Sequence, residues 1–390
     1  MNSKALTSTA THRLAILGDL HYEAKEKNNF ETARQQIIKL KPHHLISLGD
    51  VGGYSYSGSQ KSFEDAKSFF STFKVPFYPL IGNHDMEGKE FKTDAESVEA
   101  WCHTFSQPLP YYSIQLEHAL LIFLSSTRYR SNQGSCHEVH LEEEQVQWFQ
   151  AEIEAHPNTP IIVFSHCPIL GSQLRVLQNL HLKVPNAYLN HTDRPQRFFH
   201  LLKKNPQIKL WFSGHNHLGQ NYSDSVTQVD SCTFVHTGVI GSVSRDGHHQ
   251  SRFLELNEKG YTLFSVDHDT GNTSKDVVHT YNKTWKRFLA LESPTNPRFF
   301  PPLPFPSKEV FLQLNKSVFL IYQEMLVEYD KETQAPLGVV REALGQSIPI
   351  IEGNQLILVT SKKRIIIQPN SEGRYYKVFF PNPDLPKSSA

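Results

Sequence analysis

Short apolar runs recur at residues 14–17, 45–48, 77–81, 161–164 and 210–212, and each stops at a brief polar motif. Runs this short, separated by stretches with helical spacing, are how the buried parallel strands of an α/β protein read. Between the first two, Phe30, Ala33, Ile37 and Leu40 recur at helical intervals. Before the third, Ser62 is placed to cap a helix, with Asp65 at its third position and Ala66, Phe69, Phe70 and Phe73 behind it. The strand–helix–strand–helix–strand order predicts right-handed crossovers and a parallel sheet.

The pattern then changes. Residues 112–115 and 119–124 flank Glu117 and His118 as a predicted hairpin, and helices are expected over 142–155 and 192–204. Residues 232–237, 251–256 and 261–266 read as antiparallel strands completing a second sheet. The predicted fold class is therefore α/β, a four-layer αββα sandwich over residues 1–292. Pro294, Pro297, Pro301, Pro302, Pro304 and Pro306 make 293–307 a semi-rigid linker. Residues 308–390 read entirely as strands, a small all-β unit expected either to pack on the main domain as a meander or to form a homodimer contact.

Composition narrows the class. Lys and Arg total 39, as do Asp and Glu, so the formal net charge is zero and a nucleic-acid partner is disfavoured. No stretch approaches the length of a membrane span. Cys102, Cys136, Cys167 and Cys232 lie far apart with no CxxC pair, which fits a reduced compartment, and the first 13 residues carry no apolar signal core; a cytoplasmic protein is expected.

The chemistry sits at the strand ends. In open α/β sheets ligands bind beyond the carboxyl ends of the strands. Five such ends deliver Asp19, His21, Asp50, Asn83, His166, His215 and His217 to one rim, without a thiolate. Seven nitrogen and oxygen ligands exceed one tetrahedral zinc, so two metals are the better count, with Asp50, alone on its strand end, as the bridge. The His137-Glu138-Val139-His140 stretch lacks the i, i+4 histidine spacing of a metalloprotease. Each motif alone is weak; their order and placement carry the argument.

In that order the motifs resemble the calcineurin-like metallophosphoesterases over residues 14–267, and among these the class III cyclic-nucleotide phosphodiesterases. The resemblance implies that Asp19, His21 and His217 hold one metal and Asn83, His166 and His215 the other, with Asp50 between. It also implies His84 as an acid toward the leaving group, Asp85 as its orienting partner, and Asn83 with His84 as substrate contacts. The implied reaction is hydrolysis of a small phosphodiester by a hydroxide bridging two Mn, Fe or Zn ions. The alternatives are a phosphomonoesterase, or a non-catalytic scaffold binding through the C-terminal β unit. Two departures from the family's pattern, Cys167 after His166 and Val51-Gly52-Gly53 after Asp50, lie beside the expected substrate position. Residues 171–191 and 239–249 are expected to wall the pocket, with Arg245, His248 and His249 available to an anion or leaving group.

Overall fold

The computed structural model describes residues 11–132, 139–169, 172–174, 195–222, 225–281 and 286–287, and strand segments between 311 and 381. The first sheet grows from three parallel strands, β1 (His12–Leu17), β2 (His44–Ser47) and β3 (Phe77–Pro79). These are joined through α1 (Lys27–Lys39) and α2 (Gln60–Ser71). A third helix, α3 (Asp94–Phe105), follows. The second sheet starts with the hairpin β4 (Tyr112–Gln115) and β5 (Leu120–Leu124). It continues in parallel through β6 (Ile161–Ser165) and β7 (Ile208–Ser213), with α4 (Glu143–Ala155) and α5 (Pro195–Lys204) between strands.

Where the later strands go departs from the sequence reading. After β8 (Val226–Val229), β9 (Cys232–His236) joins the second sheet parallel to β7. The strands β10 (Gln250–Asn257), β11 (Gly260–Asp267) and β12 (Thr273–Thr280) return to the first sheet, β10 pairing antiparallel with β1. The three segments expected to share one sheet are thus split between two. Alternation of buried residues identifies a strand but not the edge on which it docks.

Three apolar layers hold the sandwich together. Leu14, Ile16, Ile46 and Leu48 of the first sheet meet Leu121, Phe123, Phe164 and Phe212 of the second. The alternate residues Ala15, Leu17 and Leu45 face the helices, against Phe30, Ile37, Phe63, Phe70 and Trp101. Behind the second sheet, Val163 and Trp211 pack on Phe149, Ile153, Phe198 and Leu202. Strands buried on both faces must be apolar at every position, which is why their sequences show unbroken runs.

Local chemistry sets the helix starts. The cap of α2 is Ser59, whose hydroxyl accepts from the Ser62 amide; Ser62, the expected cap, lies inside the helix. Thr93 caps α3 by accepting from Glu96 N, and the Glu96 carboxylate accepts in turn from Lys92 N. The Thr-x-x-Glu signature was present in the sequence; the helix behind it was not among those expected.

The Pro-rich linker falls outside the described residues. Beyond it lie two separate four-stranded antiparallel sheets. One comprises Phe311–Leu314, Ser317–Tyr322, Met325–Asp330 and Pro336–Arg341; the other comprises Ile348–Glu352, Gln355–Val359, Lys363–Pro369 and Tyr375–Pro381. Among the described residues no helix is long and apolar enough to cross a membrane, and Cys102, Cys167 and Cys232 are free thiols.

One buried histidine gives the fold an acid limit. His268, at the end of β11, shares its Nδ1 with Gln36 Oε1 at 2.7 Å and its Nε2 with Ser251 Oγ at 2.9 Å. Burial pushes its pKa down to about 4. Below pH 6.5 the unfolded chain binds a proton there that the folded chain refuses, so stability falls as pH drops through that window. Between pH 7.5 and 5.0 this one group should remove about 2 kcal/mol. Urea unfolding should show a correspondingly smaller acid loss in His268→Asn.

Candidate metal centre

The seven residues expected at the rim do come together. Asp19 and His21 follow β1, Asp50 follows β2, and Asn83 follows β3. His166 follows β6, and His215 and His217 follow β7. All seven are buried. The two sheets bring their carboxyl ends to a shared edge, and side chains cross between them. The Asp19 carboxylate accepts from the backbone amide of His215, at 2.9 and 2.7 Å. His166 Nδ1 lies 2.7 Å from the Leu48 carbonyl in the other sheet.

These contacts fix the imidazoles' roles. A carbonyl can only accept, so Nδ1 of His166 carries the hydrogen, as does Nδ1 of His21, 3.1 Å from Gly52 O. In a neutral ring the opposite nitrogen is then a lone pair. His166 Nε2 faces Asn83 Oδ1 at 2.9 Å, His215 Nδ1 at 3.0 Å and Asp50 Oδ2 at 3.2 Å. His21 Nε2 faces His217 Nε2 at 3.2 Å. His217 Nε2 is itself 3.3 Å from Asp19 Oδ1. Acceptors converge at two points, and Asp50 Oδ2 is buried without a hydrogen-bond donor.

Such a constellation repels itself unless cations occupy both points. Three groups of ligand atoms lie within 4.8 Å of one another: Asp19, His21, Asp50 and His217; Asp19, Asp50, His166 and His215; and His166 and His215 with the buried thiol of Cys167. The first two carry the carboxylates. Both carboxylates belong to both groups, so Asp19 reaches either point as well as Asp50. Without a cation, the electrostatics demand positive charge on the rings. Burial opposes a charge on His166, yet Asp50 and Asp19 raise its pKa to about 9. His21 goes the other way, lowered to about 3 by burial and by His217. For Asp50, burial is outweighed by His166 and His84, which hold the carboxyl well below its ordinary range.

The backbone is strained here. His21, Asp50, His215 and His217 all adopt left-handed φ angles, of 42°, 51°, 69° and 52°. That region costs a side-chain-bearing residue roughly 1–2 kcal/mol. Asp85 supplies part of the compensation. Its Oδ2 accepts from the amides of Asp50 (2.8 Å) and Gly82 (2.9 Å), and its Oδ1 from Val51 (2.9 Å). Gly82 itself tolerates no side chain, since a Cβ would sit 2.2 Å from Asp50 Oδ1.

Asp85 thus braces the loops with both of its oxygens, a use other than the orienting role expected of it. The carboxylate beside His84 is that of Glu87, with Oε1 2.9 Å from Nδ1. Burial opposes the charge on His84, but Asp50 and Glu87 prevail and raise its pKa to about 9. The sequence pattern gave no reason to single out Glu87. It also passed over Tyr54, whose ring stacks on His21 (centroids 4.4 Å apart) and whose hydroxyl lies 3.3 Å from His217 Nδ1. At 51% exposed, Tyr54 forms part of the mouth. The only hint was an aromatic residue in a Gly/Ser-rich loop after Gly-Asp.

The outer expectations fare less evenly. Arg245 is exposed, donates its amide to the His217 carbonyl, and its charge acts on Tyr54. His249 points to Asp269, its Nδ1 2.6 Å from Oδ1, and so turns from the expected anion role. His248 donates its amide to Asp246. Most of 171–191 lies outside the described residues.

The sequence profile of the calcineurin-like phosphoesterases matches residues 12–219, more than half of the chain. This chain belongs to that family. The chain is 24% identical over 182 residues to a probable glycerophosphodiester phosphodiesterase of Arcobacter nitrofigilis, covering 46% of this chain and 58% of that protein. It is 21% identical over 227 residues to a 3',5'-cyclic-nucleotide phosphodiesterase of Nostoc, covering 52% of this chain and 71% of that one. The chain thus spans only somewhat over half the length of the first of these relatives. Its fold is shared with a dimetal phosphatase from Danio rerio, at a TM-score of 0.50 and 10% identity, over 66% of this chain and 96% of that one.

The bracing role of Asp85 has a measurable consequence. Asp85→Ala leaves the buried amides of Asp50, Val51 and Gly82 without their acceptor and should destabilise the protein by roughly 3 kcal/mol in urea unfolding. Metal affinity should fall with it, because Asp50 loses its backbone restraint.

Proposed function

We propose that this phosphoesterase hydrolyses a small phosphodiester, cyclic-nucleotide-like or otherwise, at the paired ligand groups described above. The observation that carries the reading is the convergence of acceptors from five strand ends on two points, with Asp19 and Asp50 common to both. Two ions held there would neutralise phosphoryl charge and provide a nucleophile near neutral pH. The absence of sulfur among the ligands suits Mn, Fe or Zn.

The chain's own groups take the remaining tasks. Asn83 contributes a neutral oxygen, which adds no further negative charge beside an anionic substrate. His84, with its side chain 22% exposed and Glu87 beside it, is placed to donate a proton to the leaving alkoxide. Tyr54 keeps His217 oriented and narrows the entrance. A diester is taken as the first reading because two of the similar proteins are named for diesters, while a third, 31% identical over 121 residues, is named an acid phosphatase. A phosphomonoesterase is the second reading, and bis-p-nitrophenyl phosphate against the mono-ester separates the two. A pure scaffold has no need of seven converging ligands. The edge strands of the two C-terminal sheets offer a contact to a second copy of the chain, although one of them, Pro336–Arg341, already lies against α5.

Asp50→Ala should lose metal and activity together, read by elemental analysis and by diester hydrolysis. His84→Ala should keep its metals and lose turnover by about 10²- to 10⁴-fold. Wild-type turnover in either variant contradicts the reading.

A further inference from the structure

At the opposite end of the sandwich from the metal centre lies a second group of histidines with no part in the chemistry above. His12 opens β1, His44 opens β2, and His118 sits in the turn between β4 and β5 of the other sheet. Since Leu14 pairs with His44 across β1 and β2 and faces the inter-sheet core, His12, two residues earlier, lies on that same face. His12 is the hub, with ring centroids 5.7 Å from His44 and 6.0 Å from His118. The distance along β1 from His12 to Asp19 is roughly 20 Å at the usual rise per residue.

Three ring nitrogens in this group, His12 Nε2, His44 Nδ1 and His118 Nε2, are buried and have no hydrogen-bond partner among the described residues. Leaving each in that state costs on the order of 1–3 kcal/mol. Burial and the neighbouring imidazoles lower the pKa of His12, and those of His44 are lowered to about 4, so these rings are neutral at pH 7 and keep their lone pairs. An anion is at hand: Glu117 Oε1 lies 3.8 Å from His118 Nε2, and its charge also acts on His12. His43, the fourth ring nearby, is engaged instead with Arg13, 2.8 Å from its Nε2.

The spacing can be judged against the main centre. There the facing imidazole pairs have centroids 4.8 Å (His21 and His217) and 4.9 Å (His166 and His215) apart. A tetrahedral ion with metal–nitrogen bonds of about 2.0–2.1 Å requires about 5 Å. The two basal pairs that share His12 are about 1 Å more open, and their ligand atoms are not gathered within 4.8 Å as those of the main centre are, so all three side chains must turn toward one another to share an ion. We propose that His12, His44 and His118, with Glu117 as the anionic ligand, form a separate site for a borderline divalent transition ion such as Zn2+, which ties the two sheets together at the end opposite the reaction centre. Imidazole-rich donors favour such an ion over Mg2+ or Ca2+.

The test uses the full-length protein and Zn2+ alone. Wild type equilibrated with Zn2+ and freed of excess should hold one more ion per chain than His118→Gln, and Zn2+ should raise its melting temperature by about 3 °C or more beyond the rise in the variant. Glu117→Gln, also in the turn, should weaken this extra binding about tenfold or more in a Zn2+ titration. Both variants should hydrolyse the diester at the wild-type rate, which also shows that they fold. Equal zinc content and equal zinc-induced melting shifts in wild type and both variants overturn the proposal. So does an equal melting shift with Mg2+. Because the readout is the difference of one ion between proteins of equal activity, it stands apart from whether the main centre acts on diesters.

Discussion

Seven side chains that all present lone pairs toward two points in a buried space form an arrangement that cannot persist without positive charge. Everything else at this end of the molecule serves to hold them there. Asp19 and His166 each reach from one sheet to backbone of the other, so the centre also fastens the sandwich at its rim. The hydrogen bonds from Nδ1 of His166 and His21 to carbonyls commit the opposite nitrogens to the shared points. The Danio rerio dimetal phosphatase shows that the same architecture survives at 10% identity, so the fold constrains few individual residues.

The strain at the rim explains how much of the surrounding sequence is committed. Four ligands carry left-handed backbone angles. Such angles persist only where neighbours over-determine them. Asp85, buried and bound to three amides, is one such neighbour, and its own pKa is raised to about 7 by burial and by Asp50. The close approach of Gly82 to Asp50 is another. Bulk apolar packing between and behind the sheets carries the general stability, which leaves the rim able to hold these unfavourable conformations.

Much of this was legible in the one-dimensional pattern. Unbroken apolar runs ending at Asp19, Asp50, Asn83, His166 and His215 reported strands buried on both faces, with chemistry at their ends. The hairpin at Glu117 and His118 and the helices α1, α2, α4 and α5 were legible from periodicity and turn residues. What escaped was of two kinds. The helix α3 was passed over, although Thr93 and Glu96 marked its start and Trp101 and Phe105 form its buried face. The assignment of Glu87 and Tyr54 to the site, and of Asp85 to the loops, depends on which way a short loop turns its side chains, and a residue's neighbours in the chain do not settle that.

The sequence by itself determined most of the secondary-structure order and the identity of the seven side chains that converge, because periodicity and residue type are properties of the chain alone. Tertiary structure decided that β9 joins β7 while β10 and β11 join β1, that Asp19 is shared as fully as Asp50, and that Glu87 stands beside His84. Those outcomes follow from packing and hydrogen-bond partners far away in sequence, whose proximity exists only once the two sheets have closed on one another.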